Sequence, residues 1–262
     1  NLPQVAVFDT AFHQTMPDYV YYYPLPLDIS RQYQIRRYGF HGSSHAFVAR
    51  RSAHYLKKPL TELNIISLHL GNGASVTAIN NGISIDTSMG LTPLEGIMMG
   101  TRCGDIDAGI LVYLLNQGMD YRELDEILNK QSGLKGICGK NDMREILRDY
   151  EQGDSLSMLA LNMFCYRIKK YLGAYFAILG RLDALVFTAG IGEHASKVRS
   201  LCCQGLEHLG IRLDETKNQI HSEDEFAELQ SSKSTVKILK CITDEELEIA
   251  IQTATVIQSS SQ

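Results

Sequence analysis

The feature that most constrains the fold is a run of three short apolar stretches, separated by two glycine turns, over residues 64–86. The first stretch, residues 64–70, has the apolar pattern of a strand and ends at a Gly-Asn-Gly turn at residues 71–73. The second, residues 74–79, ends at an Asn-Asn-Gly turn, and Asn-Gly tolerates the positive φ angles of a tight hairpin. A third short strand follows. The sequence therefore predicts an antiparallel meander that leads into a partly parallel sheet.

The Gly-Asn-Gly turn is also a candidate anion site. It places bare backbone N–H groups beside small or polar side chains, an arrangement that can cradle a phosphate. The strand before it carries a histidine, His69, in an otherwise apolar run. A plain structural hairpin accounts for most such turns, so this stretch alone leaves both interpretations open.

The remainder of the chain alternates between helical and strand patterns. The continuously apolar residues 183–188 predict a strand covered on both faces, and a Gly-Ile-Gly turn at residues 190–192 follows it. Residues 13–30, rich in proline and aromatic side chains, predict an irregular functional loop. Further strands are predicted over residues 5–8 and 236–242, and helices over residues 43–56, 106–117, 121–130, 142–152, 155–179 and 245–257 and from about residue 195. This order predicts an α/β fold with a mixed sheet flanked by helices.

Composition argues against several classes of function. The chain has 262 residues, 44% of them hydrophobic, which is enough to bury a substantial core. Its net charge of −5 and scattered basic residues argue against a nucleic-acid partner. Six cysteines without C-x-x-C spacing indicate a reducing, cytoplasmic setting. No apolar run approaches the roughly 20 residues that cross a bilayer, so we expect no membrane partner.

Three segments carry residues with catalytic or binding potential, and each has a competing structural explanation. His41 and His45 lie four residues apart and could share a metal, or one of them could simply be satisfied in a turn. Arg102, near two glycines, could form a fork onto phosphate or carboxylate oxygens, or pair with Asp105. Residues 188–194 place Gly-x-Gly before a helix, which suits anion binding, but they lack the full G-x-G-x-x-G fingerprint.

Taken in order, the motifs of this chain resemble the acetate kinase family. The resemblance covers almost the whole chain and is carried by "VFDTAFHQTMP", "RRYGFHGSSH", "SLHLGNGAS", "GLTPLEGIMMGTRCGDID", "NDMRE", "TAGIGEH" and "TDEELEIA". It implies a ribonuclease-H-like domain of the sugar-kinase and actin superfamily. It also implies reversible phosphoryl transfer from ATP to acetate, or to a similar short-chain carboxylate such as propionate, giving acetyl phosphate and ADP. Mg²⁺ or Mn²⁺ and a homodimer are further implications.

The resemblance also implies a role for individual residues. Asp9, His41 and Arg102 match catalytic positions, and Glu245 matches the magnesium-linked carboxylate of the family. In this family pattern, Arg102 gives a forked cation to the transferring phosphoryl group, and His41 donates a hydrogen bond to the same oxygens. The other matched positions are Phe40 and Pro93, for the pocket of the acid's methyl group, and the ATP or ADP contacts His69, Leu70, Gly71, Asn72, Gly73, Asp142, Met143, Arg144, Gly190, Ile191, Gly192, Glu193 and His194.

The sequence departs from the family pattern in its N-terminal part. The family's Asn-Ser-Gly-Ser-Ser-Ser motif and its substrate-binding arginine do not occur here. We therefore expect residues 1–13 to be the end of a missing N-terminal domain, residues 14–245 to be the C-terminal nucleotide-binding kinase domain, and residues 246–262 to be a helix that returns towards the N-terminal domain. The full-length protein is expected to make acetyl phosphate, and this segment alone to turn over at or near background. Smaller departures occur at Ala108, Ala189 and His194.

Two rival classes of function stay open on the sequence. A truncated nucleotide-binding module would keep the hairpin and the Gly-x-Gly segment and would bind ADP without turnover. An α/β NAD enzyme is disfavoured, because no glycine fingerprint lies in the first strand–helix unit with an acidic residue about 20 positions later. The preference between acetate and propionate is not specified by these residues.

Overall fold

A mixed β-sheet lies at the centre of the computed structural model, which describes residues 2–220 and 222–260. In this part of the chain the sheet has six strands: β1 (Asn64–Leu70), β2 (Ala74–Asn80), β3 (Ile83–Thr87), β4 (Ala184–Thr188), β5 (Phe226–Glu228) and β6 (Lys237–Cys241). They lie in the order β3-β2-β1-β4-β6-β5. The predicted meander is confirmed as β1, β2 and β3.

The pairing of the strands explains why the sheet is mixed. β1 and β2 form an antiparallel hairpin whose register joins Leu70 to Ala74 at the tip and Asn64 to Asn80 at the far end. β4 lies parallel to β1 on one side and to β6 on the other, and β5 closes the sheet as an antiparallel edge. The partly parallel sheet predicted from the sequence is therefore confirmed.

Helices surround the sheet. The α-helices of the described residues are α1 (Asp18–Tyr21), α2 (Leu27–Gln32), α3 (Gly42–Leu56), α4 (Ala108–Asn116), α5 (Tyr121–Glu126), α6 (Gly133–Cys138), α7 (Met143–Glu151), α8 (Ser155–Leu179), α9 (Ala189–His194), α10 (Ser196–Cys203), α11 (Glu215–Gln219) and α12 (Glu245–Ser260). A π-helical turn, Ile127–Gln131, follows α5, and 3₁₀ turns lie at Ala11–Thr15, Leu60–Glu62 and Glu207–Leu209. No helix among the described residues is both long and apolar enough to cross a membrane.

The period-two alternation of a strand explains how β1 is covered on both faces. Ile66 and Leu68 belong to the core formed with the long helix α8, where Phe164 is fully buried. Ile65, which points the other way, belongs to the smaller core on the α3 side, together with Val48. The same alternation turns every second residue of β1 towards α3.

Helix α12 is fastened to α3 by polar contacts. Glu248 of α12 is 0% exposed and forms an ion pair with Arg50 of α3, whose side chain is 44% exposed. The hydroxyls of Ser44 and Thr243 lie 2.9 Å apart and join the first turn of α3 to the segment that precedes α12. These contacts fix where the first turn of α12 lies.

Several local predictions were wrong. Residues 5–8 form no strand, because no neighbouring strand pairs with them and Phe8 is 67% exposed. Residues 13–30 contain α1 and α2 instead of a wholly irregular loop. Residues 190–192 lie inside α9 and do not form a turn, so the helix predicted from about residue 195 is the second of two. β5, α6 and α11 were not predicted, since elements of three to six residues show no periodicity.

Candidate active site

The N-terminus of α3 is tied to Asp9 by backbone contacts. His41 precedes α3 with a left-handed φ of 57°, a conformation that costs free energy for a residue with a side chain. Its backbone N–H donates to Oδ2 of Asp9 at 2.6 Å, and the N–H of Gly42 donates to the Asp9 carbonyl at 2.8 Å. A Cβ at residue 42 would lie 2.3 Å from that carbonyl oxygen, so only glycine permits this approach.

The imidazole of His41 meets Arg102 at the tip of the β1–β2 hairpin. A Cβ added to Gly73 would lie 3.5 Å from Nε2 of His41 and 3.4 Å from Nη1 of Arg102. The His41 ring stacks on that of His69, with centroids 4.1 Å apart. The His41 imidazole and the Arg102 guanidinium therefore lie together beside the bare backbone of Gly73.

Arg102 reaches this position because hydrogen bonds hold the loop that carries it. Its Nη1 donates to the carbonyl of Pro93 at 3.2 Å. Asp105 accepts from the backbone N–H of Gly96 at 2.8 Å and from the hydroxyl of Tyr171 at 2.7 Å. The competing explanation of Arg102 as the ion-pair partner of Asp105 is therefore not what the structure shows.

Two carboxylates complete this region, which we call the polar corner: Asp9, His41, Arg102 and Glu245. Burial raises the pKa of the Glu245 carboxyl, and the negative charge of Asp9 raises it further. Burial lowers the pKa of His41 below its usual value, opposed by the charge of Asp9 and assisted by that of Arg102.

The donor set of the polar corner suits a magnesium ion. The described residues contain no cluster of three or more metal-ligating His, Cys, Asp or Glu side chains. Mg²⁺ nevertheless keeps several waters and needs one or two protein carboxylates plus substrate phosphate oxygens. Asp9 and Glu245, which repel each other in the absence of a cation, fit that requirement. The alternative of a metal shared by His41 and His45 is not supported, since both nitrogens of His45 face buried serines.

Beside the polar corner lies a cavity of about 730 Å³, which we call the cleft. Three segments line it: the tip of the β1–β2 hairpin, the start of α7 and helix α9 with the residue that follows it. The lining residues are Gly71, Asn72, Asn141, Asp142, Met143, Arg144, Leu147, Gly190, Ile191, His194 and Ala195.

Hydrogen bonds fix the hairpin tip against the rest of the cleft. The amide of Asn141 donates to Oδ1 of Asn72 at 3.2 Å, and the backbone N–H of Gly100 donates to the Asn72 carbonyl at 3.0 Å. Asp142 caps α7 by accepting from the N–H of Arg144 at 2.9 Å. The guanidinium of Arg144 also pairs with the Asp142 carboxylate at 2.6 Å, which lowers the pKa of that carboxyl to about 2.

Comparison with known proteins decides the family. A model of the acetokinase family matches residues 1–251. The chain belongs to the acetokinase family. An acetate kinase from Sulfurovum sp. is 57% identical over 99% of this chain and 66% of its own length. An acetate kinase from Lawsonia intracellularis is 56% identical over 99% of this chain and 64% of its own length. The chain thus spans slightly less than two thirds of these acetokinase relatives.

Solved structures of the acetokinase family share the fold. The crystal structure of Porphyromonas gingivalis acetate kinase superposes with a TM-score of 0.92 at 43% identity, over 96% of this chain and 63% of that one. A propionate kinase from Francisella tularensis subsp. tularensis gives a TM-score of 0.88 at 48% identity, over 95% and 63% of the two chains. The predicted α/β fold, with a mixed sheet flanked by helices, is confirmed.

The structure sorts the predicted acetokinase site residues into groups. Asp9, His41, Arg102 and Glu245 come together in the polar corner, with Gly73 at its edge. Eight of the thirteen predicted nucleotide contacts line the cleft: Gly71, Asn72, Asp142, Met143, Arg144, Gly190, Ile191 and His194. Phe40 and Pro93 flank the corner, since Phe40 directly precedes His41 and the Pro93 carbonyl binds Arg102. The roles of all these residues stay predictions.

Four other predicted contacts lie off the cleft. Leu70 is 0% exposed and belongs to the core. The Nδ1 atom of His69 is hydrogen-bonded to the hydroxyl of Ser44 at 2.8 Å, and His69 is only 8% exposed. Glu193 accepts from the backbone N–H of Thr243 at 3.3 Å. Gly192 is also buried, inside α9.

Sequence reasoning missed several residues of the site. Asn141, Leu147 and Ala195 line the cleft but were not predicted to do so. Asn141 was visible as the first residue of the quoted "NDMRE" segment, and Leu147 lies one helical turn after Met143. Ser75, which contacts His41, follows the Gly-Asn-Gly turn by two residues, and no pattern marked it.

Proposed function

We propose that this protein catalyses reversible transfer of a phosphoryl group from ATP to a short-chain carboxylate, giving an acyl phosphate and ADP. The observation that carries the proposal is the meeting of His41 and Arg102 at the tip of a glycine hairpin that also forms one wall of a nucleotide-sized cleft. Phosphoryl transfer depends on positioning and on neutralising charge at the equatorial oxygens more than on covalent participation by the protein. Family membership supports the same reaction.

The cleft gives the nucleotide a direction. Its apolar side chains, among them Leu147 and Ile191, suit a purine base, while the hairpin tip at Asn72 suits the phosphates. With the base against α7 and α9, the terminal phosphate points towards Gly73. That end of the cleft is where the polar corner begins.

The polar corner supplies the chemistry of the transfer. Arg102 offers its guanidinium to the transferring phosphoryl group, and Nε2 of His41 donates a hydrogen bond to one of its oxygens. Asp9 and Glu245 would hold Mg²⁺ or Mn²⁺, which neutralises charge on the phosphate oxygens when bound. The hydrogen bond from the backbone N–H of His41 to the Asp9 carboxylate keeps these groups in place before the substrates arrive.

The acceptor is acetate or propionate. Phe40 and Pro93 lie beside the two donors and offer apolar surface to the methyl or ethyl group. The relatives named acetate kinase and the Francisella protein named propionate kinase match this chain at similar identity, so both acids belong in the test.

Two exposed apolar surfaces support further contacts. On α4, Val112 is 60% exposed and Ile110 43% exposed, and on α8, Leu159 is 49% exposed. We assign the exposed apolar side chains of α4 and α8 to the contacts of a twofold homodimer in the cytoplasm. A monomer mass in light scattering at micromolar concentration would contradict it.

On α12, exposed Leu247 and Ile251 would pack on an N-terminal domain, with residues 14–245 as the kinase domain.

The experiment that tests the function is the hydroxamate assay for acyl phosphates, with acetate or propionate and Mg-ATP. We expect the complete gene product to form acyl phosphate with at least one acid, and no signal without the acid. The 262-residue segment should bind nucleotide, since the cleft lies within it. It should turn over near background, because about a third of the length of the related acetate kinase lies outside the part that matches this segment. A complete gene product with no activity towards either acid would refute the proposal.

A further inference from the structure

Behind His41 runs a line of buried hydrogen bonds that the proposed chemistry does not use. The Oγ atom of Ser75 lies 2.9 Å from Nδ1 of His41 and 2.8 Å from Nε2 of His45. The Nδ1 atom of His45 lies 3.0 Å from the hydroxyl of Ser67. Ser67, His45 and Ser75 are each 0% exposed. The line therefore reaches from the middle of β1, across α3, to the ring that faces the polar corner.

The direction of these hydrogen bonds is restricted by simple proton counting. A serine hydroxyl has one proton, and a neutral imidazole has one donor and one acceptor nitrogen. Full burial lowers the pKa of His45 well below its usual value, and the neighbouring histidines lower it further, so this ring is neutral. If Ser75 donates to Nδ1 of His41, then Nε2 of His45 must donate to Ser75, and Ser67 must donate to Nδ1 of His45.

The direction in which Ser75 donates to His41 is the one that places a hydrogen-bond donor in the polar corner. With Nδ1 of His41 accepting from Ser75, the proton of the neutral His41 ring is on Nε2, the atom that faces Gly73 beside Arg102. In the opposite direction, Nε2 of neutral His41 would present a lone pair to an already negative phosphoryl oxygen. The second arrangement would repel the group that the first one binds.

We propose that Ser75 and His45 are positioning residues that hold His41 as its Nε2–H tautomer, so that its free N–H is aimed at the transferring phosphoryl group. This inference rests on the proposed function, because only an oxygen acceptor in the polar corner gives the Nε2 proton a role. The tautomer itself, however, is a property of this chain and can be measured without turnover.

The first test is a nitrogen NMR spectrum of the chain with isotope-labelled histidine, at neutral pH. The His41 signals are assigned by their loss in His41→Gln. We expect a pyrrole-type shift for Nε2 and a pyridine-type shift for Nδ1. The reverse pattern, or pyrrole-type shifts for both nitrogens, would overturn the inference, and this result needs no other variant to fold.

The second test removes the supporting hydroxyl. Ser75→Ala should give averaged nitrogen shifts at His41, because both tautomers become populated when Nδ1 loses its partner. Ser84→Ala is the matched control, since Ser84 is also 0% exposed and lies 2.9 Å from Nδ1 of another buried histidine, His13. It should leave the His41 signals unchanged. Unaltered His41 shifts in Ser75→Ala would show that Ser75 does not set the tautomer.

The third test reads the effect on the reaction in the complete gene product. Ser75→Ala should lower kcat about 10-fold, equivalent to about 1.4 kcal/mol, and leave KM for the acid within about 2-fold. His45→Gln, which keeps an N–H donor towards Ser75, should retain more activity than His45→Leu. An active gene product whose His41 shows the other tautomer would overturn this inference alone. A fixed tautomer in a gene product that makes no acyl phosphate would refute the proposed function instead.

Discussion

The polar corner and the cleft lie side by side, yet they are built differently. In the corner, His41 is held through its backbone by Asp9 and through its ring by the fully buried Ser75, and both contacts are partly buried. In the cleft, the Arg144 side chain is 91% exposed and its partner Asp142 is 38% exposed. The groups proposed to act on the phosphoryl group are thus fixed in advance, while the proposed nucleoside contacts are free to adjust.

This difference has an energetic meaning. Catalytic groups contribute to rate only when they are oriented before the transition state forms, and burial with complete hydrogen bonding provides that orientation. A nucleoside contributes mainly uniform binding, which tolerates exposed and weaker contacts. Substitutions in the corner should therefore change kcat or folding strongly, and substitutions in the cleft should change affinity modestly.

The largest expected effect is at Arg102. In the complete gene product, Arg102→Ala should lower kcat by about 10²- to 10³-fold, because one pre-placed charge donor is lost from the transition state. Arg144→Ala, an arginine removed from the cleft, should mainly raise KM for ATP by roughly 2- to 5-fold. Steady-state hydroxamate kinetics measure both. Equal effects of the two variants on kcat would contradict the claim that the corner determines the rate and the cleft the affinity.

The next effect concerns the support of Glu245. Arg50→Ala removes the ion-pair partner of the fully buried Glu248, which keeps only its hydrogen bond from Gln252, so we expect a loss of about 2–3 kcal/mol in unfolding free energy. The neighbouring Arg51→Ala is the control, because Arg51 and its partner Glu225 are both about 40% exposed, and the cost should stay below about 1 kcal/mol. Urea unfolding followed by circular dichroism separates the two. Similar costs would mean that α12 does not depend on the buried pair.

A third effect is the sensitivity of the buried histidines to acid. Burial lowers the pKa of His13 to about 4 and that of His69 to about 3, against an unfolded value near 6.5. Below pH 6.5 these two histidines bind protons in the unfolded chain but stay neutral in the folded chain. The free energy of unfolding therefore falls as the pH drops. His13 alone should cost about 2 kcal/mol between pH 7 and pH 5.

The slope of unfolding free energy against pH measures this effect. His13→Asn should make the slope between pH 7 and pH 5 shallower than it is in the wild type. A slope that is the same in His13→Asn and in the wild type would show that His13 titrates normally in the folded protein.

The smallest effect is on the cleft side, at the start of α9. Ala189 has a left-handed φ of 61°, which is strained for alanine and free for glycine. Ala189→Gly should raise stability by about 0.5 kcal/mol, the relief of strain less the added entropy of the unfolded chain. Thermal unfolding is the measurement, with Ala174→Gly on the exposed side of α8 as a control that should destabilise. A destabilised Ala189→Gly variant would count against strain at this position.

The sequence predicted the parts of this fold that have strong local signals. The β1–β2–β3 meander follows from its glycine turns, and α8 was predicted at its observed bounds because 25 residues of helical periodicity leave little ambiguity. The strand predicted over residues 5–8 was wrong, because pairing depends on a distant partner that no local pattern reveals. The helix over residues 190–192 was missed, because its two glycines usually break a helix, and the close approach of Gly192 to Phe187 of β4 depends on tertiary packing.

For the candidate site, motifs predicted which residues belong together but not what holds them. Asp9 and His41 are 32 positions apart, and their contact depends on the left-handed turn at His41. The role of Ser75 depends on the β1–β2 register, which places it opposite His69 and next to α3. Such contacts arise from tertiary packing, and a linear pattern of residue types contains no trace of them.

The most direct test of the central claim, that the hairpin tip and the cleft hold a nucleotide, is calorimetry of this chain with Mg-ADP. We expect binding at one site, abolished in Asn72→Leu, because leucine removes the amide at the tip and fills the space beside Gly100. The same substitution at Asn80, at the opposite end of β2, should leave the affinity unchanged. Undiminished affinity in Asn72→Leu, or equal losses in both variants, would contradict the account.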